Sequence, residues 1–272
     1  MGRENHVDRL MTTCFTLYYR SRRPMQTVTR WIVDGISSLL FPPCCRICSE
    51  PVGNPEEIIC ETCRKDMVRV SGYICETCGR PLPDGQSVGQ CCGRCMIAPP
   101  PFERARYGFF HQGNVRRALI DFKYGGLMHH GKGLAQLLSE TFRESFSGDD
   151  IDLIIPMPMH PRRLIKRGFN QVVYLAGRLA HNTGIPMKRN VLKKIKDTVP
   201  QVGLSRSQRL TNVKGSFGVA RTEDLMGKRL LLLDDVSTTG STIAEASLAL
   251  KKGGASSVSV LVLFLRIPGA NN

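Results

Sequence analysis

No stretch of this 272-residue chain approaches the ~20 consecutive apolar residues that a membrane-spanning helix needs. The longest candidate, Trp31 to Phe41, is short and carries Asp34. The N-terminus lacks a charged-then-apolar run with a small-residue cleavage site, so the expectation is a cytoplasmic protein without an export signal or transmembrane segment. Acidic residues are scarce: 23 Asp+Glu stand against 38 Lys+Arg, a net charge of +15. Wholesale disorder is excluded, because 42% of residues are hydrophobic and only 22% charged.

The shortage of acids is local. Between Ile151 and Thr222 there are 14 Lys+Arg and two acids, Asp152 and Asp197, which places +12 of the +15 in one segment. So lopsided a run points to an anion-binding face for phosphates or nucleic acid.

Cysteine is abundant, and ten of the 11 fall between Cys44 and Cys95. Four pairs have CxxC form: Cys45/Cys48, Cys60/Cys63, Cys75/Cys78 and Cys92/Cys95. In a reducing compartment such pairs read as metal ligands rather than disulfides. Each CxxC turn sets two sulfurs on one side of a tight knuckle, and two knuckles complete the tetrahedral thiolate cage of Zn²⁺. Four knuckles predict two structural Zn sites, since a closed Cys₄ cage leaves no position for water. Sequential and interleaved pairing both fit the spacing. Sequential pairing closes the shorter loops and is preferred. Cys44 and Cys91 each adjoin a chosen ligand and are its possible substitutes. Few large apolar residues surround the knuckles, so metal must supply folding energy there.

The expected organisation is a flexible basic arm (1–30), a double zinc-ribbon module (31–98) opening on a short helix before Pro42, and a larger domain (102–272). Pro99–Pro100–Pro101 is the candidate linker. The larger domain alternates helix and strand. Arg116 to Phe146 is helical with a break at Gly125–Gly126, and Ile151–Ile155 is a short buried strand. Val172 to Ala180 is helical. Val191–Leu192 and Phe217–Val219 begin weaker strands. Leu230–Leu233 is a continuous apolar run, as in a central parallel strand covered on both faces. A helix from about Thr242 ends at Gly253, and Val258–Leu265 is the last strand. The pattern predicts an α/β fold with a largely parallel sheet flanked by helices. Ligands of such sheets sit beyond the carboxyl ends of the strands. That selects the loops after Ile155, after Val191–Leu192 and after Leu233.

The last loop carries the chemistry. Two carboxylates, Asp234 and Asp235, are suited to accept hydrogen bonds from sugar hydroxyls. Ser237, Thr238, Thr239, Ser241 and Thr242 supply hydroxyls, and Gly240 lets the backbone turn. The following helix start favours a phosphate. A Walker A loop would need Gly-Lys-Ser/Thr, and this segment has no Lys.

The segment resembles the 5-phosphoribosyl-1-pyrophosphate (PRPP) motif of type I phosphoribosyltransferases. The resemblance extends to Pro156-Met-Pro158, Arg162, Arg163, Arg167-Gly-Phe-Asn-Gln171, Lys123–Tyr124 and the stretch Thr198 to Asn212. With the cysteine knuckles, this pattern is similar to the ComF family over roughly residues 31–266. The resemblance implies a type I phosphoribosyltransferase-like sheet behind a double zinc ribbon. It implies a PRPP-binding segment of Asp234, Asp235, Val236, Ser237, Thr238, Thr239, Gly240, Ser241 and Thr242. Arg162, Arg163, Arg167 and Lys123 become the pyrophosphate or anion ligands. Thr198, Gln201, Arg206 and Arg209 belong to a mobile flap, and Mg²⁺ accompanies PRPP. The implied roles are phosphoribosyl (pentosyl) transfer or, alternatively, non-catalytic single-stranded-DNA binding in natural competence. A helicase-like ATPase is the implied partner. Two departures stand out. The pyrophosphate-side loop is longer and more basic than in metabolic members of the superfamily, and no segment reads as a hood for a particular base.

Overall fold

The computed structural model describes residues 42–83, 89–197 and 213–267. The basic arm, the short helix before Pro42 and the flap residues Thr198, Gln201, Arg206 and Arg209 lie outside these ranges. The cysteine-rich segment contributes two short helices, α1 (Glu61–Asp66) and α2 (Gly93–Ile97). The order then runs β1 (Arg104–Phe110), α3 (Gly113–Tyr124), α4 (His129–Ser145), β2 (Leu153–Pro156), α5 (Pro161–Arg167), α6 (Gln171–Thr183), β3 (Leu192–Lys194) and β4 (Phe217–Val219). It closes with β5 (Arg229–Ser237), α7 (Ser241–Lys252) and β6 (Ser257–Leu265).

The main sheet is four-stranded in the order β1-β6-β5-β2, with every pairing parallel. Leu230–Leu233 on β5 and Val258 and Val260–Leu265 on β6 are wholly buried, as expected for strands covered on both faces. Helices α4 and α6 pack together, α4 on β1 and β6 and α6 on β2 and β5, while α7 covers β5 and β6.

Four features depart from the sequence expectations. Strand β1 was not anticipated, because Arg104 and Arg106 interrupt its apolar pattern. Those cations pair at the sheet margin with Asp150 and Glu76. Strand β5 does not stop at the acid pair. Asp234, Val236 and Ser237 remain in register with Val262, Phe264 and Leu265. Strands β3 and β4 stand outside the parallel sheet as an antiparallel pair resting on α7, so the loop after Val191–Leu192 leaves a hairpin and not the sheet's carboxyl edge. The arginine-rich loop contains helix α5. His160 caps it by accepting from the Arg162 amide, Pro161 occupies its first turn, and Gly168 ends it in the left-handed region.

The four CxxC knuckles form two cages, Cys45/Cys48/Cys60/Cys63 and Cys75/Cys78/Cys92/Cys95, which is the sequential pairing. The ligand atoms of each cage lie within 4.8 Å of one another. Cys48 Sγ and Cys60 Sγ are 3.8 Å apart, and Cys78 Sγ and Cys92 Sγ 3.7 Å. A tetrahedron with Zn–S of about 2.3 Å has edges of about 3.8 Å, so the sulfurs stand where Zn²⁺ would hold them. Cys44 and Cys91 belong to neither cage. Burial raises the Cys45 thiol, but amides of Cys48, Cys60 and Ile47 aimed at its sulfur more than reverse this and bring it to about 7. In the second cage the amides of Cys78 and Cys92 do the same for Cys75, to about 6. Burial and the neighbouring thiols push Cys63 and Cys95 up. One thiolate per cage is thus favoured by the protein itself, and the bound cation supplies the charge that deprotonates the rest.

The cages differ in setting. The first shares the main core, with Cys45, Ile47, Ile59 and Cys63 buried in it, and its knuckle sits on α4 through His130 Nδ1 and the Arg46 carbonyl oxygen at 2.9 Å. The second forms a small separate cluster with Leu82. Cys63→Ser is therefore expected to destabilise the whole fold by at least ~4 kcal/mol. Cys95→Ser should remove one zinc per chain with a smaller change in the main transition. Denaturant unfolding with metal analysis tests this, and equal losses in the two variants would contradict it.

Candidate functional site

The site is built on the tip of β5. Because β5 continues through the acid pair, strand alternation sends the two carboxylates in opposite directions. Asp235 is only 5% exposed. Its Oδ2 lies 2.8 Å from Lys123 Nζ and accepts a hydrogen bond from Gln171 Nε2. Three elements converge there: the last turn of α3, the first residue of α6 and the strand tip. Asp234 is half-buried, and its Oδ1 accepts from the Asp235 amide at 2.9 Å. Burial, then the adjacent Asp235 carboxylate, push Asp234 up to about 7, against the pull of Lys123 and Lys194.

Beyond the acids the chain turns through Gly240 at φ +82°, a left-handed position that favours glycine. Thr239 Oγ1 and Ser241 Oγ are 2.7 Å apart, and the Ser241 amide donates to Thr239 Oγ1 at 3.4 Å. Gly240, the N-cap of α7, offers no side-chain cap to the helix start. The Tyr107 hydroxyl on β1 is hydrogen-bonded to Ser237. Arg80, from the third cysteine knuckle, donates to the Thr238 carbonyl oxygen.

The neighbouring wall begins at the end of β2, where the Met157 amide donates to the Leu233 carbonyl at 2.8 Å. His160, Arg162 and Arg163 gather around Asp197 at 3.7–3.8 Å. Arg162 is 82% exposed along its side chain and points outward. Arg167 turns the other way, donating to Gln171 Oε1 and to the Tyr124 hydroxyl, each at 2.8 Å, with its guanidinium 4.5 Å from the Tyr124 ring centre. A pocket of about 890 Å³ opens between α5, the start of α6 and β3, lined by Pro158, Leu164, Phe169, Tyr174, Lys194 and Ile195 among others.

Of the anion ligands expected from the sequence, Lys123 is brought to the acid pair, and Arg167 is joined to it through Gln171. Arg162 and Arg163 lie instead at Asp197, with Arg162 largely exposed. Other contributors were not singled out. Lys194 feels the Asp234 charge and is lowered by burial and by Arg163. His111, at the end of β1, is held near 4 by burial and by Lys123, Arg116 and Arg266, and its buried Nδ1 has no partner among the described residues. Gln171 was visible only as part of the Arg167–Gln171 motif, and nothing in the local sequence marks Arg80.

A parallel sheet whose inner strand carries an acid pair near its end and leads into a hydroxyl-rich turn and a helix start, behind two Cys₄ cages, defines a phosphoribosyltransferase-type domain joined to a double zinc ribbon. Family comparison agrees: residues 36–96 match the double zinc ribbon domain and residues 173–271 the phosphoribosyl transferase domain. Competence protein F of Haemophilus influenzae is 31% identical over 179 residues, covering 64% of this chain and 78% of that protein. The DNA utilization protein YhgH of Salmonella typhi is 31% identical over 228 residues, covering 83% and 98%. Competence protein ComFC of Bacillus subtilis is 28% identical, covering 77% and 85%. The chain belongs to this ComF family of competence and DNA utilization proteins. Similar solved structures include a purine phosphoribosyltransferase from Pyrococcus horikoshii Ot3, 20% identical over 52% of this chain and 90% of that one, with a TM-score of 0.32.

The raised Asp234 has a signed consequence. Between about pH 4 and about pH 7 the native state keeps a proton that the unfolded chain has released, so this group's contribution to stability falls as pH rises through that window. Asp234→Asn is expected to match wild type near pH 4 and to exceed it by at most about 4 kcal/mol near pH 8. Urea unfolding at both pH values checks this. A variant no more stable than wild type near pH 8 would contradict it.

Proposed function

We propose that the protein binds PRPP or a related phosphoribosyl ligand with Mg²⁺ and serves DNA uptake in natural transformation, as a phosphoribosyltransferase-like protein. The observation that carries this reading is the acid pair at the tip of β5, running directly into the hydroxyl-rich turn and the N-terminus of α7. In this reading Asp234 and Asp235 accept the ribose hydroxyls, while the amides and hydroxyls of residues 237–242 hold the 5′-phosphate. The Lys123 and Gln171 contacts fix Asp235 in one orientation. Lys194 and the loop after β2 flank the pyrophosphate side. Mg²⁺ offsets the ligand's negative charge when it is bound. If transfer occurs, rate comes from positioning and from cations facing the departing pyrophosphate. Calorimetry with PRPP and Mg²⁺ is expected to show Mg²⁺-dependent binding that Asp235→Asn weakens at least tenfold, about 1.4 kcal/mol. No heat of binding with the zinc-loaded wild type would refute the reading. Pyrophosphate release in the presence of acceptor bases or nucleic acids would separate a transferase from a binding protein.

A second reading, compatible with the first, is single-stranded DNA binding. A specific surface favours it: Tyr124 is 72% exposed and stacked by Arg167, beside exposed Met128, Leu164 and Ile165 and the cations of α5. An aromatic ring beside cations is the arrangement on which unpaired bases stack. Oligonucleotide affinity should fall steeply with salt, and Tyr124→Ala should cost about 1–3 kcal/mol. A flat salt response in a fluorescence titration would count against this surface.

A further inference from the structure

The second zinc ribbon does more than precede the sheet. Its first knuckle is clamped to β1. The Ala105 amide donates to the Thr77 carbonyl at 2.8 Å, and Arg106 donates to the Glu76 carbonyl at 2.7 Å and pairs with the Glu76 carboxylate. Gly79, at φ +66°, is seated so tightly that a Cβ would stand 2.1 Å from the Ala105 carbonyl oxygen. Within the knuckle the Cys75 amide donates to the Arg80 carbonyl and the Gly79 amide to the Cys75 carbonyl, both at 2.8 Å. The backbone of Arg80 is thereby fixed by the turn that carries two cage sulfurs. Its side chain leaves the ribbon and donates to the Thr238 carbonyl oxygen in the turn after β5. Among the described residues no carboxylate pairs with Arg80.

We propose that Arg80 is a positioning residue for the turn 237–242, and that it makes the conformation of this turn depend on metal occupancy of the Cys75/Cys78/Cys92/Cys95 cage. A carbonyl held by a guanidinium cannot rotate toward the turn's centre, where it would oppose an anion, so the amides and hydroxyls of the turn stay presented to the ligand. Loss of metal frees the knuckle, Arg80 loses its fixed origin, and the turn relaxes. The ligand consequence rests on the phosphoribosyl reading above. The coupling of cage to turn does not.

The test uses the full chain as wild type, Arg80→Ala, Arg80→Lys, Cys95→Ser and the double variant Cys95→Ser/Arg80→Ala. Three quantities are read: zinc content, amide hydrogen exchange across residues 237–242, and binding of PRPP with Mg²⁺. Arg80→Ala keeps every cysteine and is expected to retain both zincs. The turn should exchange about tenfold faster and ligand binding should weaken about tenfold, the usual effect of losing one charged hydrogen bond. Arg80→Lys should recover part of both. Cys95→Ser should expose the turn similarly, and the double variant no further than either single change, because both act through one contact. Unchanged exchange in Arg80→Ala, or additive effects in the double variant, would overturn the proposal. If wild type does not bind PRPP, the phosphoribosyl reading fails, and exchange across the turn alone decides the coupling.

Discussion

A carboxylate buried at the carboxyl edge of a parallel sheet must be paired, because an uncompensated charge there would cost several kcal/mol. Asp235 meets that requirement through Lys123 and Gln171. The pairing constrains three elements: α3 must deliver its last-turn lysine, α6 must begin with its glutamine, and β5 must continue past its leucines through Asp235. Arg167 extends the constraint by binding Gln171 and Tyr124 together, so the wall carrying the cationic helix α5 is set by the same carboxylate. The acid pair is therefore the point from which the rest of the site is measured.

The two acids divide their work by environment. Asp235 is compensated by a cation and an amide. Asp234 is lifted to about 7 by burial and then by the carboxylate beside it. A carboxyl raised toward neutrality responds to its surroundings, since a hydroxyl donor or a cation stabilises its ionised form. The adjacency of the two carboxylates therefore costs stability as pH rises toward neutrality.

The zinc ribbons join the same structure in different ways. The first is part of the main core and sits on α4, with Arg64 and Arg69 reaching Glu140 across the junction. The second leans on the free edge of β1 and touches the turn after β5. Since β1 ends the sheet, the ribbon segments beside it also satisfy backbone groups that an edge strand leaves open, as the Val70 and Phe110 amides show by donating to Gly108 and Val68.

Much was legible in the linear pattern. The CxxC spacing names the eight ligands, because a tetrahedral thiolate site needs little besides two knuckles, while it left sequential and interleaved pairing both open. The leucine run, the acid pair and the hydroxyl-rich turn are likewise contiguous, so strand, loop and helix start follow from local chemistry. What local pattern could not carry is anything joined across the chain. The role of Arg80 lies 158 residues from its partner Thr238, and Lys123 and Gln171 become partners of Asp235 only when α3 and α6 reach one sheet edge. Strand β1, and the pairing of β3 with β4 apart from the main sheet, were obscure because short strands take their form from neighbours rather than from their own sequence. The sequence alone determined which groups are present and which metal geometry they suit. The tertiary structure decided which charges meet, because burial at a shared edge, and not spacing along the chain, selects the pairs.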